Sequence, residues 1–298
     1  MNKRWLLTLT IVLGAYVQSA WAQQNQNPEL PRDLHGLWWQ PADPGWAIAM
    51  FDHPSAMSSA LLIYDNEGMP TWLVSPTLDC YRDMPPWVID HCGGALYRVM
   101  GPWFGAPTFR AAEVVVNEVG EWTGPFAYPL VGGVGPNLQR TLYPLYTIDG
   151  VTFVGSGMKP MMVQAIDPSA PSLVYDGRYA GLWGNPDESG WSIGIFVQNN
   201  SLYATLLVHG PDRQPRWYVV IANASAYDPR PDRIFEGDVF ETRGYPRGLG
   251  RAGSSQVRQV GRASLHFGAG PSDPASLSYS IDGVQVSKTI VQPDFLTR

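Results

Sequence analysis

Two cysteines, Cys80 and Cys92, are the only thiols in the chain. At a separation of about a dozen residues they are placed to close a disulfide, worth roughly 3 kcal/mol in a chain-entropy account. A thiolate metal site is the other use of such a pair, but only His91 lies close enough in sequence to assist, and the disulfide is the expectation. Asp43, Asp187 and Glu188 fall in short turns, where acidic side chains commonly cap backbone N–H groups. As a glycosidase pair, Asp43 and Glu188 would need carboxyl groups about 5–9.5 Å apart across one bond, which requires two distant stretches of chain to face each other. His35, His53, His91, His209 and His266 show no His-x-x-x-His spacing for zinc. No Gly-x-Ser-x-Gly marks a nucleophilic serine. The segment from Gly248 to Gly253 fits Gly-x-Gly-x-x-Gly only formally, with no buried strand before it and no amphipathic helix after it. These residues predict no metal site, no cofactor and no clear catalytic set, so the reading leans away from an enzyme.

The elements that must position these side chains are written twice. The stretch Gly36-Leu37-Trp38-Trp39-Gln40-Pro41, ending in Gly45-Trp46, recurs 145 residues later as Gly181-Leu182-Trp183-Gly184-Asn185-Pro186, ending in Gly190-Trp191. The match runs without a gap through Phe51/Phe196, Leu61-Leu62/Leu206-Leu207, Trp72/Trp217 and Val74/Val219. The ends repeat at an offset of 133, Tyr146-Thr147-Ile148-Asp149-Gly150 matching Tyr279-Ser280-Ile281-Asp282-Gly283. The first copy is longer in its middle, where the cysteines lie. Inside each copy the apolar residues alternate: Leu277, Tyr279 and Ile281 point one way, with serines opposite. Period two predicts half-buried antiparallel strands, and the Asp-Gly pairs predict tight hairpins.

The second copy reads as eight strands, starting near Gly181, Trp191, Leu202, Trp217, Phe235, Ala263, Leu277 and Val284. The fold class is therefore all-β: two tandem antiparallel modules of about eight strands, each a small up-and-down barrel, with β-sandwiches as the alternative. The modules span 33–164 and 178–298, joined by a turn-rich linker at 165–177, and each is expected to pack its own core, with contact between them left open by the sequence.

The N-terminus has the form of a secretory signal peptide over residues 1–22: Lys3 and Arg4, an apolar run from Trp5 to Val17, then Ala20-Trp21-Ala22. That run falls short of the roughly 20 residues a membrane span needs. A flexible leader over 23–32 follows, and the mature chain is expected to have no transmembrane segment. Without Lys3 and Arg4 the 20 basic residues fall to 18 against 26 acidic ones, a net charge of −8, which disfavours nucleic acid as a partner. A periplasmic or secreted protein of a Gram-negative bacterium is expected, in a setting where a disulfide persists.

The Gly-x-Trp-x-x-Pro-x-x-x-Gly-Trp openings, the Pro-x-Trp strand and the Tyr-x-Ile-Asp-Gly hairpin resemble a family of secreted proteobacterial proteins with tandem β repeats. Ala95-Leu96-Tyr97-Arg98-Val99-Met100-Gly101-Pro102 is similar to that family's middle strand. The resemblance covers nearly the whole mature chain and implies architecture, not chemistry. A second likeness is to the calycins (lipocalins and avidins), whose first strand carries Gly-x-Trp with a basic side chain over the tryptophan. It implies that Lys159 packs near Trp38 and Lys288 near Trp183, a cation–π contact of ~0.5–2 kcal/mol.

Trp38, Trp39, Trp46, Trp72, Trp183, Trp191 and Trp217 are the candidate ligand contacts, since aromatic faces at a barrel mouth hold sugars and flat apolar molecules. Core packing is the preferred reading for the six that repeat, whereas Trp39, Trp87, Trp103 and Trp122 have no tryptophan counterpart. The expected function is an exported, non-catalytic binding protein for a small apolar or carbohydrate-like ligand or a partner protein. The alternative is an envelope interaction or assembly protein, and a hydrolase is the least favoured. A barrel with room inside supports the first, and a filled barrel with an exposed apolar patch the second.

Overall fold

The structure, a computed structural model, describes residues 34–40, 46–53, 56–82, 89–127, 141–155, 158–160, 179–198, 201–224, 233–246, 256–270 and 273–292. Every described strand pair is antiparallel, and the strands fall into two separate sheets. The first contains β1 (Gly36–Trp39), β2 (Ala47–His53), β3 (Ala56–Tyr64), β4 (Pro70–Ser75), β5 (Asp79–Arg82), β6 (Ile89–Met100), β7 (Val115–Ala127), β8 (Thr141–Leu142), β9 (Leu145–Ile148), β10 (Val151–Val154) and β11 (Lys159–Pro160). The second contains β12 (Gly181–Trp183), β13 (Ser192–Gln198), β14 (Ser201–His209), β15 (Pro215–Ala224), β16 (Arg233–Arg243), β17 (Gln256–Phe267), β18 (Ala275–Ile281) and β19 (Val284–Ile290), side by side in chain order.

The eleven strands of the first sheet and the eight of the second are the same meander. Three positions are split in the first. Strands β4 and β5 both pair with β6, on either side of Pro76. Strands β8 and β9 lie on β7 in one continuous register, interrupted at Pro144. Strands β10 and β11 are separated after Gly155. Proline has no N–H for the ladder and glycine weakens it; the matching residues of the second copy are Ile221, Leu277 and Lys288, and there the strands run unbroken.

Both sheets curl until first and last strands meet. Gly184 and Val291 exchange backbone hydrogen bonds of 3.0 and 2.9 Å, joining the ends of β12 and β19. In the first module β11 pairs with β1, and Met158 exchanges bonds of 2.9 and 2.7 Å with Leu142. The result is two tandem curled half-barrels, as the repeat predicts.

Alternation fixes what faces inward. On β18, Ala275, Leu277, Tyr279 and Ile281 are buried while Ser276 and Ser278 are exposed. The predicted Asp-Gly hairpins form with positive φ at both central residues, 50° and 78° at Asp149-Gly150 and 46° and 85° at Asp282-Gly283, the twist that suits a two-residue hairpin. The disulfide forms between facing residues of β5 and β6.

Each barrel has its own core, and the two barrels also meet. Besides one core inside each barrel, a third apolar cluster joins them, built mainly from the outer faces of β1–β4 and β12–β15, with Val99 of β6 and Phe240 of β16. Strand β2 sends Ile48 and Met50 into barrel one and Ala47, Ala49 and Phe51 toward barrel two. A strand buried on both faces is apolar throughout, which is why the run from Ala47 to Phe51 does not alternate.

Candidate functional site

The chain leaving β6 at residue 101 does not turn straight back into β7; it crosses to the open end of barrel two. The Gly101 N–H donates to the Arg213 carbonyl at 3.2 Å and the Phe104 N–H to the His209 carbonyl at 3.2 Å. Gly101 lies against the His209 ring so closely that a Cβ there would come within 2.7 Å of it, so no larger residue fits without displacing the imidazole. Phe104 then places its ring in the mouth, its centroid 6.1 Å from those of Tyr218 and Tyr279. Phe104 and Phe109 both pack against the core of barrel two. A short 3-10 turn, Ala111–Glu113, leads back toward β7.

Comparison with barrel one gives the reason for this crossing. There Phe153 stacks on Tyr146, with centroids 5.1 Å apart and planes 18° from parallel. Val286 stands where Phe153 does in the repeat and Tyr279 where Tyr146 does, leaving a ring-sized space beside Tyr279. Phe104 of the other module fills it.

What remains is a small cleft lined by Trp103, Phe104, Trp191, His209, Tyr279 and Lys288, among others. Its enclosed volume is about 10 Å³, room for about one water molecule. Two of its lining residues share one partner: Glu188 accepts from Lys288 Nζ at 2.7 Å through one oxygen and from Trp191 Nε1 at 3.1 Å through the other. Burial pushes the Tyr279 phenol up, and the Tyr218 phenol up to about 12. Burial also lowers His209 to about 4. Its ring nitrogens face the carbonyls of Val99 and Pro102 without good hydrogen-bond geometry. At neutral pH these three groups are therefore uncharged. The lining contains no serine, threonine or cysteine, and no group of three or more acidic, histidine or cysteine side chains able to hold a metal occurs among the described residues.

The candidate tryptophans are brought to three places. Trp38 and Trp183 lie in the two barrel cores, each donating its indole N–H four residues back, to Leu34 O at 3.0 Å and Tyr179 O at 2.9 Å. Trp46 is in the core of barrel one, near Tyr146, and Trp191 is in the core of barrel two and borders the cleft. Trp72 and Trp217 are buried between the barrels, where the half-buried Trp39 also packs. Trp122 is buried in barrel one, whereas Trp87 and Asp43 lie outside the described residues.

The two lysines part company. Lys159 stands in register opposite Trp39, next to Trp38 in the sheet, and its side chain lies outside the described atoms. Lys288, expected near Trp183, donates to Glu188, the acidic residue that holds Trp191. Turn capping falls to Asn185, whose side chain accepts from the Asp187 N–H at 2.9 Å. Glu188, expected to cap, is an ion-pair partner.

Sequence reasoning missed Phe104. The only available signal was an apolar Trp-Phe pair inside the Gly- and Pro-rich stretch Gly101-Pro102-Trp103-Phe104-Gly105, with no indication of which barrel would receive it. Comparison of the chain with family models, with curated proteins and with solved structures returns no match.

Proposed function

We propose that this chain is an exported, non-catalytic interaction protein of the cell envelope, whose barrels serve as a rigid base and whose outer β-surface meets a partner protein. The observation that carries the reading is a contrast between equivalent faces. On β9 and β10 of barrel one, Leu145 and Val154 sit directly opposite each other and are 41% and 81% exposed, with Tyr143 close by at 47%. At the same positions of barrel two stand Ser278, Ser287 and Ser276, all exposed, with the Ser278 and Ser287 hydroxyls 3.0 Å apart. Serines show what the fold itself requires there. An apolar row at an otherwise polar position marks a contact surface. Strand β10 also ends its sheet path, with no further strand paired beyond it among the described residues, so a partner's extended segment can add to this edge through main-chain hydrogen bonds.

Among the described residues, the apolar core inside each barrel and the buried tryptophans weigh against a small ligand there. A photo-crosslinking residue placed at position 154, and in a parallel sample at 287, tests the proposal in cells exporting the protein. A discrete adduct from 154 that is absent from 287, and lost on Leu145→Ser, is the expected result. No adduct at 154, or saturable quenching of the tryptophans by a fatty acid or an oligosaccharide, would overturn it.

A further inference from the structure

We infer that the face joining the two barrels is a self-recognition surface, a two-fold dimer interface now closed within one chain, whose partner chemistry is a second copy of the same module. The contacts come in reciprocal pairs related by the repeat. Trp72 donates its indole N–H to the Val208 carbonyl at 3.1 Å; Trp217, its counterpart, donates to the carbonyl of Ile63, the counterpart of Val208, at 3.0 Å. Gly101 N–H bonds to Arg213 O at 3.2 Å, and Gly244 N–H bonds to Gly68 O at 3.2 Å, Gly68 being the repeat partner of Arg213. The Tyr64 ring lies 5.6 Å from that of Trp217, and His209, in the place of Tyr64, lies 5.7 Å from that of Trp72. Tyr64 covers Gly244 as His209 covers Gly101.

On the axis itself a residue must meet its own counterpart. Phe51 and Phe196 do so, with rings 5.6 Å apart and 16° from parallel. The shared cluster also draws on both members of further repeat pairs, Leu62 with Leu207 and Val74 with Val219.

Two duplicated modules joined by a linker have no need to pack this way. A tether permits any pair of patches to meet, and a head-to-tail contact would bring different surfaces together. An isologous contact, in which residue i meets j and j meets i, is what a closed homodimer makes. The described cores of the two modules are complete apart from Phe104 and Phe109, so the linker adds proximity and the face supplies the recognition.

The test uses the full chain. A specific protease site placed within residues 165–177 is cut after folding, and the halves are followed by size-exclusion chromatography and native mass spectrometry at low micromolar concentration. A 1:1 complex that keeps the size of the intact chain is expected. Separation into two species, or loss of structure on cutting, would overturn the inference, because a dimer-grade face holds without a tether. A second measurement addresses the symmetry: Trp72→Phe and Trp217→Phe each remove one of the reciprocal hydrogen bonds and should each weaken association of the cut halves by about tenfold. A large effect from one and none from the other would show the face to be heterologous.

Discussion

The two barrels share one meander and one set of inward-facing positions, yet they solve the same packing problem by different means. Barrel one interrupts three of its eight strand positions, at Pro76, Pro144 and Gly155, and ties β5 to β6 with Cys80–Cys92. Barrel two runs those strands unbroken and has Ala224 opposite Phe235 in the register the cysteines occupy in barrel one. Barrel one fills the space beside Tyr146 with its own Phe153; barrel two borrows Phe104. A broken strand forfeits ladder hydrogen bonds and a cross-link restores order locally, so the module with the interruptions is the one with the disulfide. The borrowed ring makes barrel two depend on barrel one. The reverse dependence runs only through their common face among the described residues.

That asymmetry is open to direct attack. The largest effect should come from Cys80→Ala/Cys92→Ala or from reduction, costing about 3 kcal/mol. The sequence alone suggests that this loss spares module two. The shared cluster and Phe104 predict instead that both barrels lose stability, barrel one more, so that thermal scans with and without reductant move both transitions. An unmoved second transition would show the barrels to be uncoupled.

Next is a pH effect centred on His209. Its buried ring is lowered to about 4 from 6.5, so between those values the unfolded chain binds a proton that the folded chain does not. Stability is full above about pH 6.5 and falls as the pH drops toward 4, by roughly 2–3 kcal/mol, with no further loss from this group below that. His209→Phe keeps a ring beneath the arm and should remove this part of the pH dependence in denaturant titrations. An unchanged difference between pH 7 and pH 4 would place the linkage elsewhere.

Phe104→Ala should cost about 2 kcal/mol and act on barrel two, although the residue belongs to module one. A small aromatic such as indole should restore part of the loss by occupying the vacated space, as apolar cavities admit such molecules. Destabilisation confined to barrel one would contradict the crossing.

The smallest effect is expected from Leu145→Ser/Val154→Ser, which gives barrel one the residues barrel two already has. Stability should change by no more than about 0.5 kcal/mol, while crosslinking from position 154 disappears. A large loss of stability would make the row structural instead of a contact surface.

How much of this was readable beforehand follows from which residues report on local and which on distant neighbours. The Asp-Gly hairpins and the alternation of β18 were legible because turn chemistry and the pleat are properties of adjacent residues. The eight strands of the second copy were placed within a few residues, except that β17 begins at Gln256, well before Ala263. Its first four residues are exposed and carry no apolar alternation to detect. For the repeated tryptophans core packing was preferred to ligand contact, but nothing in their spacing separated the barrel interior, home of Trp38 and Trp183, from the space between barrels that holds Trp72 and Trp217. An inward and an outward buried position look alike in a strand covered on both faces.

By itself the amino-acid order determined an all-β chain written twice, its hairpins, the cysteine pair and the greater length of the first copy. Each of these depends on the preferences of a few consecutive residues or on direct self-similarity. The tertiary structure alone decided that the copies meet face to face, that Lys288 pairs with Glu188, and that Phe104 packs on the other barrel's core. Those outcomes depend on where free volume and unmatched surface are left after folding, and such leftovers are set by the whole packing and by no local run of residues.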